Sequence, residues 1–106
     1  MHSPPGAFHR DASSRLRYEI DSIDQIEYPE YASRIAQHFG LRPACELIAG
    51  PGEMFCDYTD GTNEIEVAWD TWSGLFATAK SEASETLVRS IAVYLGYTPS
   101  DQADGG

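Results

Sequence analysis

Residues 53–80 read EMFCDYTDGTNEIEVAWDTWSGLFATAK, and this stretch decides the fold class. From Asn63 to Asp70 the residues alternate. Ile65, Val67 and Trp69 fall on one side and Glu64, Glu66 and Asp70 on the other, the period of a strand buried on one face. Upstream, Glu53–Thr59 reads as a strand that ends at Asp60-Gly61, two residues that tolerate the backbone angles of a tight hairpin. Downstream, Thr71-Trp72-Ser73-Gly74 reads as a second turn into a strand at Leu75–Lys80. A further short strand is predicted at Ala44–Ala49, closed by Gly50-Pro51-Gly52. Strands in close succession with short turns make an antiparallel meander.

On either side of the meander the period becomes helical. Tyr28, Tyr31/Ala32, Ile35 and Phe39 share one face of a helix predicted over Tyr28–Phe39. Pro29 suits its first turn, and Gly40 stops it with Pro43 shortly beyond. A second helix begins with Ser81 as its N-cap and Glu82 and Glu85 in its first turn. Its apolar stripe is Leu87, Val88, Ile91, Tyr94 and Leu95, and Gly96 ends it. Residues 16–27 fit two templates. Leu16, Tyr18 and Ile20 alternate as an edge strand, while Leu16, Ile20, Ile23 and Ile26 also fall on one helical face. The fold expected is therefore α+β: a three- to four-stranded antiparallel meander with two helices packed on one face, the other face left to water or a partner. Residues 1–15 are expected as a flexible arm, 16–97 as one domain and 98–106 as a disordered tail.

The 106 residues carry 17 acidic and 7 basic side chains, a formal charge of −10. The imbalance is uneven. Between Arg42 and Lys80 there is no lysine or arginine, while Glu53, Asp57, Asp60, Glu64, Glu66 and Asp70 lie there. Such a surface repels phosphate, so direct binding to nucleic acid or an anionic membrane is excluded as an expectation, and a basic protein partner is favoured. Solubility alone is the competing explanation of the charge. No apolar run is long enough to span a bilayer and no secretory apolar core opens the chain, so a cytoplasmic location is expected.

No residue pattern points to catalysis, a cofactor or a metal. His2 and His9 lie in the predicted arm, and His38 has no cysteine or carboxylate at ligand spacing. Asp57-Tyr58-Thr59-Asp60-Gly61 begins like a calcium loop but lacks its closing acid. Trp72-Ser73-Gly74 lacks the first glycine of a nucleophile elbow, and Gly50-Pro51-Gly52 opens no helix. The carboxylates could do acid–base chemistry only if burial raised the pKa of one, and alternation puts them on the outer face. Cys45 and Cys56, on consecutive predicted strands, are read as two reduced thiols or as a cross-strand pair. Trp69 continues the core face. Trp72, in the turn, either folds over the sheet edge or is offered to a partner.

The run Trp69-Asp70-Thr71-Trp72-Ser73-Gly74, a short strand, and then Leu87-Val88-Arg89-Ser90-Ile91-Ala92-Val93-Tyr94-Leu95 resembles small acidic bacterial immunity proteins of polymorphic toxin systems, over about residues 60–96. The resemblance implies a protein that neutralises a toxin by tight binding. Together with the charge, it leads to a non-enzymatic domain that occludes a basic partner such as a nuclease toxin. Asp57, Tyr58, Asp60, Glu64, Glu66, Asp70 and Trp72 are the candidate contact residues. The other expectations are a homo-oligomeric or regulatory interaction module, and a small ligand-binding protein or enzyme whose pocket the sequence does not reveal.

Overall fold

A computed structural model of the chain describes residues 6–44 and 46–97. Its centre is the predicted meander: β5 (Glu53–Thr59), β6 (Glu64–Asp70) and β7 (Gly74–Ala79), paired antiparallel. Two aspartates build the turns between them. The Asp60 carboxylate accepts the N–H groups of Thr62 (2.9 Å) and Asn63 (2.7 Å) and the Asn63 side-chain amide (3.1 Å). Asp70 accepts the N–H groups of Trp72 (3.0 Å) and Ser73 (2.6 Å). Gly74 completes the second turn at φ +70°, against the Ile20 carbonyl and the Asp21 backbone, where a Cβ would have no room.

The sheet is wider than three or four strands. Beyond β7 lies β2 (Leu16–Ile20), and beyond that β1 (Ala7–Arg10). At the other end β3 (Arg42–Pro43) and β4 (Ile48–Gly50) both pair with β5. The result is a seven-stranded antiparallel sheet in the order β1-β2-β7-β6-β5-β3, with β4 also on β5. Three expectations change. Residues 16–20 form a strand, but an interior one. Ala7–Arg10, within the expected arm, is the edge: Phe8 packs on Tyr18 and Tyr97, with ring centroids 5.1 and 4.9 Å away, and Arg10 bonds Glu85 at 2.6 Å. The single strand foreseen at Ala44–Ala49 is replaced by two short ones, β3 just before that stretch and β4 overlapping its end. Residues 1–5 and the tail from Thr98 lie outside the described residues. So does Cys45, and with it the question of a partner for Cys56, which is buried on β5.

Both helices pack on one face of the sheet. Helix α1 (Tyr28–Phe39) buries Tyr28, Ala32 and Ile35, and α2 (Glu85–Tyr94) buries Leu87, Val88, Ile91 and Ala92. These meet Leu16, Tyr18 and Ile20 of β2, Ile65, Val67 and Trp69 of β6, and Leu75, Ala77 and Ala79 of β7 in one core. Polar anchors fix the layers. The Tyr28 hydroxyl donates to the Val67 carbonyl (2.7 Å) and the Trp69 indole N–H to the Ile23 carbonyl (2.7 Å). Gly40 closes α1 in the left-handed conformation as predicted. Helix α2 starts at Glu85, later than the Ser81 N-cap implied. The fully buried Ser84 hydroxyl instead accepts the Glu64 N–H (2.9 Å), which docks the helix start on β6.

Candidate protein-binding face

The side chains that alternate away from the core form the second face of the sheet, over which no helix lies among the described residues. Strand register arranges them in cross-strand rows. One row runs Glu19, Phe76, Ala68, Phe55 and Ile48 across β2, β7, β6, β5 and β4. The adjacent row runs His9, Arg17, Thr78, Glu66 and Asp57 from β1 to β5. Asp70 faces Glu53 on the far side of the apolar row. The face is thus an apolar stripe of two phenylalanines, an alanine and an isoleucine, with carboxylates on both flanks.

Its charges are partly matched from within. Arg17 lies flat on Phe76, 3.7 Å from the ring centroid, and pairs with Glu19 (2.7 Å) while donating to the Ser73 hydroxyl (2.8 Å). Lys80 stands 3.4 Å from Asp57. Glu66, between these pairs and directly opposite both Asp57 and Thr78, is half-buried and has no ion pair among the described residues. Burial raises its pKa above the ordinary glutamate value. Asp57 pushes the same way, while Lys80 and Arg17 pull it back. The expectation that the carboxylates of this face are fully exposed is corrected: Asp57, Glu66 and Asp70 are all half-buried, and Glu64 alone of the four is exposed. Thr78 is only 6% exposed, and its hydroxyl has no hydrogen-bond partner among the described residues.

Of the residues singled out in the sequence, Asp57, Glu64, Glu66 and Asp70 share this face. Asp60 and Asp70 also serve as turn acceptors, and hydrogen bonds from the turn hold the Asp60 carboxyl below its usual range. Trp72 projects from the β6–β7 turn with 87% of its surface exposed, so the ring is not folded over the sheet edge. Tyr58 is placed differently. It pairs with Ile65 and packs, partly buried, against the core on the helix side. The sequence reading misses Phe55, Phe76, Arg17 and Thr78. The alternation of Leu75, Ala77 and Ala79 against Phe76 and Thr78 is present in the sequence, but both sets are mostly apolar or small and the parity carries no polarity contrast.

At the β1 end the face dips into an open cleft of about 300 Å³ lined by Gly6, Ala7, His9, Glu19 and Asp21. Among the described residues no group of three or more histidines, cysteines or carboxylates is placed to hold a metal ion, and no helix is long and apolar enough to cross a membrane. No protein-family model, curated protein or solved structure matches the chain.

Proposed function

We propose that this chain is a non-enzymatic protein-binding domain of the immunity or inhibitor type, which occludes a basic partner such as a nuclease toxin with its helix-free sheet face. One observation carries the reading: strand register sets Asp57 beside Glu66, next to a row containing Phe55, Ala68 and Phe76, on the side away from the helices. An apolar centre within a charged rim is the common anatomy of a protein interface. The carboxylates would stand in for the phosphates that a nuclease groove attracts, and complementary charge would speed encounter. Trp72, exposed at the end of the same sheet and held there by Asp70, would serve as an aromatic anchor. The motif resemblance over about residues 60–96 agrees with this reading and is independent of the geometry.

The test is genetic and direct. The reading frame adjacent to this one is expressed alone, with this chain, and with a chain carrying Asp57→Lys and Glu66→Lys. The proposal requires growth arrest alone, rescue by the native chain and loss of rescue by the double reversal. A harmless neighbour, or rescue untouched by the reversal, contradicts it. A homo-oligomeric module is the second reading, favoured by Leu47 and Ile48, about half exposed on and beside edge strand β4. A dimer in sedimentation at physiological salt would support that instead.

A further inference from the structure

We propose that the open face seats an arginine side chain of the partner, its guanidinium stacked on Phe55 and paired with Glu66; the inference rests on the binding function proposed above.

The molecule already shows how this face receives a guanidinium. Arg17 lies 3.7 Å over the centre of the Phe76 ring, with Glu19, the residue opposite Phe76, neutralising it at 2.7 Å. Phe76, Ala68 and Phe55 occupy one cross-strand row, so the same aromatic floor recurs on the other side of a single small residue. Over Phe76 the cation is supplied in cis. Over Phe55 no cation is seated among the described residues, and the ring is half-buried. The carboxylate is there too. Glu66 lies one position along the same face of β6 from Ala68, diagonal to Phe55, and diagonal neighbours of a sheet stand about 7–8 Å apart, within reach of a long side chain.

One observation marks this second seat as incomplete. The neighbouring acids have cations within ion-pair distance, Lys80 at Asp57 and Arg17 at Glu19, whereas among the described residues Glu66 makes no ion pair and feels Lys80 and Arg17 only from further away. The raised pKa of Glu66 agrees with this, since a carboxylate that is uncomfortable when ionised gains most from an added cation.

The chemistry selects arginine over lysine. A planar guanidinium can stack on a ring and still donate in its own plane to a carboxylate, whereas an ammonium is a compact, strongly hydrated charge. It also selects a foreign partner over a second copy, because two chains of formal charge −10 repel each other.

The test titrates the full-length chain with octa-arginine and octa-lysine peptides of equal charge at low salt. Dissociation constants are measured for the native chain and for Glu66→Gln and Phe55→Leu. Tighter binding of the arginine peptide by about two- to fivefold is expected, with the preference lost in each variant. Phe55→Leu keeps an apolar side chain and removes only the π face; should that variant fold poorly, Glu66→Gln carries the comparison. If both peptides bind equally well to the native chain, or the preference persists in the variants, the arginine seat is wrong while the acidic binding face stands. If neither peptide binds, the seat and the binding face fall together.

Discussion

Replacing Glu66 by glutamine should make the protein more stable and a poorer binder, and the two effects share one cause. Glu66 is half-buried and faces Asp57 across the β5–β6 pair, so incomplete hydration is the main penalty on its charge, and Lys80 offsets the repulsion from Asp57. For a carboxylate this exposed, with Lys80 and Arg17 pulling the other way, the net penalty is discounted to about 0.5 kcal/mol. For a domain of this size such a gain raises Tm by about 2–4 °C. The sign follows from linkage. A carboxyl whose pKa is raised on folding favours the native state while protonated and disfavours it once ionised. The native chain therefore loses stability relative to Glu66→Gln as pH rises from the ordinary glutamate value of 4.5 through the folded one. Urea denaturation of both proteins at pH 4 and pH 7 measures this. The variant should be the more stable at pH 7, with the gap closing at pH 4. A variant less stable at pH 7, or a gap independent of pH, would refute the half-buried placement of Glu66.

Other perturbations report on separate parts of the structure. Tyr28→Phe removes the hydroxyl that donates to the Val67 carbonyl in the core and should cost about 1–2 kcal/mol in denaturant titrations. Gly74→Ala forces a side chain into φ +70° against the Ile20 carbonyl and Asp21, so a loss above about 2 kcal/mol is expected, read as a fall in urea midpoint. Trp72→Ala, at a position 87% exposed, should change stability by less than about 0.5 kcal/mol while weakening partner binding; unchanged affinity would remove Trp72 from the interface. Arg10→Ala should speed hydrogen exchange in β1. The bond from Arg10 holds the Glu85 carboxyl below its usual range, so this contribution is present above pH 4.5 and fades as pH falls through the folded pKa, opposite in sign to Glu66.

What could be foreseen was set by local pattern. Helix α1 occupies Tyr28–Phe39 as its apolar period and its Pro29 and Gly40 signals imply, and β5 spans Glu53–Thr59 as its closing Asp60-Gly61 implies. The inward set of Ile65, Val67 and Trp69 is equally plain from alternation. The misjudged elements depend on distant partners. Strand β1 has four residues and one large apolar side chain, and Phe8 is ordered by Tyr18 and by Tyr97 from the other end of the chain. The start of α2 shifts because Ser84 is engaged by the Glu64 backbone on β6 rather than serving the helix.

The candidate site divides in the same way. Parity along β6 places Glu64, Glu66 and Asp70 together, and β5 brings Asp57 to them. The same parity turns Tyr58 away from its neighbour Asp57, a signal available in the sequence. The partial burial of Glu66 was not available, because it depends on side chains from three strands brought together by register, and neither was the stacking of Arg17 on Phe76.

On this reading the helix-free sheet face is the binding surface. The direct measurement is a backbone amide NMR titration of the full-length chain with the octa-arginine peptide. Shifts should concentrate at Phe55, Asp57, Glu66, Ala68, Phe76 and Thr78, together with the Trp72 indole N–H. They should shrink with added salt, as charge-driven association requires. Shifts centred instead on the outer surfaces of α1 and α2, or spread over the chain in proportion to its carboxylates, would contradict the claim.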